Sequence, residues 1–148
     1  MTTVTRESSA HAVAAAAPEP PYLVLGADTV FTPGDVGRFA AAFAATGAAG
    51  AIAVRPEAGG VVTVAGGLVR RVGAAGGTHA AAPLWAVGAP LAAQVARLEG
   101  EPPYGLAGAF QRGIDAGEPV AGIPVGPTRD LTSPVDLLVE NFPYLRDL

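Results

Sequence analysis

Two acidic motifs about a hundred residues apart offer chemistry in this chain. Asp28 closes the apolar run Tyr22-Leu23-Val24-Leu25-Gly26-Ala27-Asp28. Asp130 lies near the start of Arg129-Asp130-Leu131-Thr132-Ser133-Pro134-Val135-Asp136-Leu137-Leu138, an acid in a loop just before a capped helix. A carboxylate at the carboxyl end of a buried strand is well placed to hold a divalent metal, because open α/β sheets bind ligands at that edge. Two such acids meeting there could clamp a magnesium–phosphate substrate. Each has a plainer reading. Asp28 could cap the turn after its strand, and Asp130 could pair with Arg129 or with an amide of the last helix. Arg129 is either a phosphate contact or half of a surface ion pair.

The elements that must position these acids follow from periodicity and punctuation. Ser8 or Ser9 caps a helix to about Ala17, ended by the prolines of 18–21. Tyr22–Gly26 reads as a buried strand. Thr32-Pro33-Gly34-Asp35 reads as a helix start, with Val36, Phe39, Ala40 and Phe43 at helical spacing and a stop near Gly47. Ala51–Val54 is a second short strand. Val61–Ala65, Gly66-Gly67 and Leu68–Val72 form a hairpin with a two-residue turn.

Gly73–Gly77 reads as a flexible loop, and Ala81–Val87 as a further strand. Pro90 opens a helix through Leu98. Glu101-Pro102-Pro103 opens another from about Tyr104 to Ala116, closed by Gly117. Val120–Val125 is a strand at a sheet edge, since Pro124 cannot donate to a ladder. Ser133-Pro134-Val135-Asp136 caps the last helix, which presents Leu137, Leu138 and Phe142 and should be disturbed at Pro143. The alternation predicts an α/β fold: one layered domain over 1–148, with a mixed, mostly parallel sheet flanked by helices.

Composition narrows the chemistry. The chain has 148 residues, half of them hydrophobic, enough for a real core. Its net charge of −4 gives no electrostatic case for nucleic acid or anionic membranes. With no cysteine, disulfides, zinc–thiolate sites and cysteine nucleophiles are excluded. All nine basic residues are arginine, which excludes Schiff-base chemistry and a P-loop lysine. His11 and His79 are the two histidines, too few for a multi-histidine metal site. The alanine run 12–17 is too short for a signal-peptide core, and no stretch reaches the length needed to span a bilayer. A cytoplasmic protein is the default expectation.

These motifs together resemble the sugar-1-phosphate nucleotidyltransferases, the nucleoside-diphosphate-sugar pyrophosphorylases. Leu25-Gly26-Ala27-Asp28 is similar to that family's strand ending in Gly-Asp, with one alanine inserted. Asp130-Leu131-Thr132-Ser133-Pro134-Val135-Asp136-Leu137 is similar to its Asp-x-Gly-Thr-Pro-x-Asp-Leu motif, with Thr-Ser for Gly-Thr. Ser8-Ser9-Ala10-His11-Ala12 looks like the later part of its base-recognition motif, with Thr3 where a glutamine is usual. The C-terminal motif is the most specific of the three.

The resemblance implies that Asp28 and Asp130 are Mg²⁺ ligands and that Ser8, Ser9 and Ala10 contact the base. It places Trp85 near the sugar, where the plainer reading is a core residue. It implies transfer of a nucleotidyl group from a nucleoside triphosphate to a sugar 1-phosphate, with no protein nucleophile: positioning and charge neutralisation suffice. Two departures stand out. The family's N-terminal Gly-rich triphosphate cradle and its Glu-Lys-Pro segment have no counterpart here. An incomplete nucleotidyltransferase fold is expected, with an open edge beside Tyr22–Gly26. The chain would then be a fragment of a longer protein, a remnant that associates with itself as a homo-oligomer or with a partner, or one that pairs with a separately encoded N-terminal half. The alternative is a non-catalytic binding or interaction module built on the same fold.

Overall fold

The computed structural model describes residues 9–98 and 105–146, without side chains for 141–146. Ser8, the helix opening at 101–104 and the Phe142 side chain therefore lie outside the described residues. In chain order the elements are α1 (Ser9–Ala16), β1 (Tyr22–Leu25), β2 (Thr29–Phe31), α2 (Asp35–Thr46), β3 (Gly50–Ala65) and β4 (Leu68–Val87). There follow α3 (Ala89–Arg97), α4 (Leu106–Asp115), β5 (Val120–Pro124), β6 (Thr128–Asp130) and α5 (Pro134–Arg146).

The main sheet has the order β1-β4-β3-β5. Its strands alternate apolar side chains between two faces, as the period of two requires. Ile52, Val54 and Val87 pack under Leu91 and Val95 of α3 and Leu106 and Phe110 of α4, with Ala10 of α1 beside them. Ala51, Ala53, Ala82, Leu84 and Ala86 face the other way, toward Phe39 of α2. The small alanine face lets α2 approach closely, and Phe39 fills the gap at 1% exposure. The result is a mixed sheet with helices on both faces.

The expected majority of parallel pairs is not observed. β1–β4 and β3–β4 are antiparallel, and only β3–β5 is parallel. The cause is the segment 73–77, which continues β4 instead of forming a loop. Gly66-Gly67 make the hairpin turn, both at positive φ (60° and 75°). Beyond it the two arms bend and cross at bare backbone. A Cβ on Gly60 would lie 2.1 Å from the His79 carbonyl oxygen, and one on Gly77 would lie 2.4 Å from that of Val62. Glycine at these positions thus allows one long bent strand to return beside β3, so the stretch 81–87 runs antiparallel to it.

β1 and β5 end the strand order, β5 as Pro124 suggested, but the hairpin turn covers part of β5's outer side: Leu68 pairs antiparallel with Ala121, and the Gly122 amide donates to the Gly67 carbonyl at 2.9 Å. β1, the first stretch of β3 (50–54) and β5 run in the same direction, so Leu25, Val54 and Pro124 lie toward one rim of the sheet. α5 continues through Pro143, where a break was expected. No helix among the described residues is long and apolar enough to cross a membrane.

Candidate functional site

The rim of the sheet carries a second, two-stranded ribbon that brings the two acids together. β1 ends where the Gly26 amide donates to the Pro83 carbonyl at 2.8 Å. A tight turn from Gly26 to Thr29 then presents Asp28. β2 pairs antiparallel with β6, in the register Thr29↔Asp130, Val30↔Arg129 and Phe31↔Thr128. The Leu131 amide closes the ribbon on the Asp28 carbonyl at 2.6 Å.

The Thr29 hydroxyl stands between the two carboxylates, 3.5 Å from Asp28 Oδ1 and 3.4 Å from Asp130 Oδ1. Both distances exceed a well-formed O–H···O bond, so the hydroxyl marks the midpoint between the acids without committing to either. The two Oδ1 atoms are therefore less than about 7 Å apart. Both side chains are exposed. With Thr29, Ala81, Ala82, Pro83 and Trp85 they line a groove of about 360 Å³.

Trp85 is half-buried, between the core and the groove. Its ring meets Phe110 edge-to-face, with centroids 4.9 Å apart at 70°, an arrangement that holds the indole in place. The same residue forms a wall of the groove. A separate hollow of about 240 Å³ between β1 and α2 is lined by Pro21, Tyr22, Leu23, Ala40, Phe43 and Ala44. It has no carboxylate, and burial pushes the Tyr22 hydroxyl pKa up.

Several ties position the ribbon, and sequence reasoning missed most of them. Asp35, at 6% exposure, is a buried acid. Its Oδ2 accepts the Gly126 amide at 2.7 Å, and its Oδ1 pairs with Arg38. The Arg38 guanidinium, then the Gly126 amide, hold the Asp35 carboxyl below the usual range. The Thr32 hydroxyl donates to the Pro127 carbonyl at 2.9 Å. Thr32 and Asp35, expected to start α2 as a capping pair, instead fasten the 125–127 loop. α2 begins after Gly34, which sits at φ 84°. A Cβ on Gly126 would lie 2.9 Å from Thr32 Oγ1 and 3.0 Å from Asp35 Oδ2, so the amide reaches its acceptor because the residue is glycine.

Asp136 does the equivalent work on the other side. Its Oδ2 accepts the Ser133 amide (2.8 Å) and hydroxyl (2.9 Å), and the Thr132 amide (3.0 Å) and hydroxyl (3.3 Å). Hydrogen bonds from the Ser133 hydroxyl and amide lead in lowering its pKa. Ser133 and Asp136 form the expected capping pair, and the loop carrying Asp130 is fixed to α5.

The remaining expected site residues lie elsewhere. Arg129 pairs with Glu140 of α5 at 2.8 Å. Ser9 Oγ accepts the Leu106 amide at 3.1 Å and so caps α4. Ala10 is buried in the core at 2% exposure. Among the described residues, neither Ser9 nor Ala10 lines the groove. The β-branched and aromatic triplet Thr29-Val30-Phe31 was the one sequence signal for the ribbon; Thr128-Arg129-Asp130 gives none. Among the described residues no three His, Cys, Asp or Glu side chains form a metal cluster.

No protein-family model matches the sequence, and no curated protein is similar to it. Solved structures do match. UDP-glucose pyrophosphorylase from Acinetobacter baumannii superposes with a TM-score of 0.70 at 19% identity, over 91% of this chain and 55% of that one. Its UTP-bound form gives 0.70 at 20% over the same shares. A UDP-glucose pyrophosphorylase complexed with UDP-glucose gives 0.72 at 12%, over 96% and 63%. A Bacillus anthracis protein assigned as a glucose-1-phosphate thymidylyltransferase, in complex with a sucrose, gives 0.60 at 11%, over 93% and 59%. The chain has the fold of the sugar-1-phosphate nucleotidyltransferases, and it spans 55–63% of the length of these structures.

Proposed function

We propose that this chain carries the cation- and phosphate-facing part of a nucleotidyltransferase-type site. In this reading it serves the transfer of a nucleotidyl group from a nucleoside triphosphate to a sugar 1-phosphate in the cytoplasm. The observation that carries the reading is the pairing of β2 with β6, which brings Asp28 and Asp130 to one groove on this fold.

The donor set fits magnesium, a hard cation usually held by one or two carboxylates with substrate phosphates and water completing its shell. Asp28 and Asp130 would hold it, and when bound it would neutralise charge on the phosphates. The Thr29↔Asp130 pairing of the ribbon sets the spacing of the two acids. Trp85 offers an apolar wall for a sugar or base and shields one side of the groove from water. Arg129, held by Glu140, is more distant from this role. Ser9 and Ala10 remain proposed base contacts by resemblance, at the α1–α4 junction rather than in the groove.

Calorimetry of UTP and UDP-glucose binding, with and without Mg²⁺, tests the reading. Expected is Mg²⁺-dependent affinity that falls at least tenfold in Asp28→Asn and again in the double variant with Asp130→Asn. Affinity indifferent to both Mg²⁺ and the double substitution would sink it. A second reading, a non-catalytic module that self-associates, is favoured by Val135, Leu137, Leu138 and Val139, which expose 49–64% of their surface on α5. A stable dimer by sedimentation, together with no nucleotide affinity, would select it.

A further inference from the structure

The two ends of the main sheet are finished differently. The hairpin turn lies along part of β5, through Leu68↔Ala121 and the Gly122 amide. β1 pairs with β4 on one side, and among the described residues no strand pairs with it on the other. The Gly26 amide points to the Pro83 carbonyl, so Val24 and Tyr22 also turn their backbone groups toward β4, as antiparallel alternation requires. The amides and carbonyls of Leu23 and Leu25 therefore face outward. Natural edges are usually blunted by charge, a bulge or a cover. From Pro20 to Ala27 the chain carries no charge, and Leu25 is 44% exposed.

The space beside this edge is apolar on both faces of the sheet. On the α2 face is the hollow at Tyr22, Leu23, Ala40 and Phe43. On the other face a hollow of about 250 Å³ lies among Tyr22, Val13, Ala17, Ala92 and Ala96. A strand that filled both would need apolar side chains at successive positions, the pattern of a strand buried on both faces. Tyr22-Leu23-Val24-Leu25 is itself such a run.

It is also self-complementary. A two-fold axis through Val24, perpendicular to the sheet, sets Leu23 opposite Leu25 of a second copy, and Leu25 opposite its Leu23. Each pair exchanges amide–carbonyl bonds in both directions, so every outward amide of the two strands meets an outward carbonyl. Leu25 of the second copy then lies beside Leu23, on the α2 face, and the two Val24 side chains meet on the opposite face. Pro21 has no amide to carry the ladder further, so the pairing ends with the apolar run.

We propose that β1 is an interface for a second copy of this chain, the two β1 strands pairing antiparallel across a two-fold axis to join the main sheets. An isologous contact of this kind closes on itself and gives a dimer. The proposal does not rest on the nucleotide reading, and it uses a different surface from the apolar face of α5.

Sedimentation of the full chain over a range of concentrations, with amide exchange followed by NMR, tests it. Expected is a reversible dimer whose Leu23 and Leu25 amides exchange at least tenfold more slowly at high concentration, while the Val24 amide is protected at every concentration. Leu25→Pro removes an outward donor and leaves the β1–β4 ladder its bonds; Leu25→Lys places a charge on the edge. Both should weaken dimerisation at least tenfold with an unchanged circular dichroism spectrum, and Leu138→Asp on α5 should leave the dimer intact. A chain monomeric up to about 1 mM, Leu23 and Leu25 amides whose exchange ignores concentration, or a dimer lost in Leu138→Asp and kept in Leu25→Pro would overturn the proposal. Dimerisation through β1 with no affinity for UTP or UDP-glucose would uphold the interface and sink the nucleotidyltransferase reading. Mg²⁺-dependent UTP binding by a strict monomer would do the reverse.

Discussion

Leu91 offers a sharp test of how the helices sit on the sheet. It is fully buried, and its two methyl groups occupy the space above two glycines on different elements. A Cβ on Gly113 of α4 would lie 2.1 Å from Leu91 Cδ2. One on Gly50 of β3 would lie 2.2 Å from Leu91 Cδ1. With both methyls confined, the leucine cannot swing aside. Gly113→Ala should then cost about 1–3 kcal/mol of overpacking, offset by about 1 kcal/mol of helix propensity.

Leu91→Ala alone should cost about 2–5 kcal/mol. In that background the added methyl has room, refills part of the cavity and keeps its propensity gain, so Gly113→Ala should stabilise by about 1 kcal/mol. The two changes should couple by about 1–3 kcal/mol. Gly50→Ala should not be rescued, because its Cβ would also lie 2.8 Å from the Ala86 carbonyl, which is backbone. Urea unfolding read through Trp85, the one tryptophan in the chain and packed on Phe110, measures the single and double variants. Additive free energies, or a Gly113→Ala that stabilises the parent chain, would refute the interlock.

Ser9→Ala should lower stability by about 0.5–2 kcal/mol through loss of the α4 cap; by the base-contact proposal it should also weaken UTP binding, and calorimetry separates the two. Asp35 and Asp136 both titrate below the usual carboxylate range, so their stabilisation is full above about pH 4 and is lost as pH falls through their lower folded values. Acid titration followed by amide exchange should show Gly126 and Ser133 losing protection together with those protonations. Asp35→Asn should leave the main sheet folded by circular dichroism, remove the acid-dependent step at Gly126 and weaken Mg²⁺-dependent UTP binding several-fold.

The scaffold was legible where a single local rule decides. Gly66-Gly67 set a two-residue turn whatever surrounds it. Phe39 on its helical stripe had to be buried, and Pro124 had to lie at an edge. The direction of the stretch 81–87 was not legible, because it depends on whether 73–77 leaves the sheet. That is settled by backbone crossing at Gly60 and Gly77, contacts between residues far apart in sequence. Asp28 and Asp130 were legible as acids at a strand end and a helix start. Their meeting was not, since it depends on two strands of three residues with no periodicity to detect.

That division has a physical cause with consequences for the site. The main sheet is stabilised by burial, which tolerates many sequences provided volume and pattern hold; this is how one scaffold persists at 11–20% identity to its structural neighbours. The β2–β6 ribbon buries little: its strands are half-buried or exposed. It depends instead on directed bonds from Asp35, Thr32 and Asp136 to particular amides and carbonyls. Such bonds fail one residue at a time, unlike a core that repacks. Loss of a single tie should therefore separate the two acids while the sheet beneath them remains folded, and the chemistry of the rim would fail before its scaffold does.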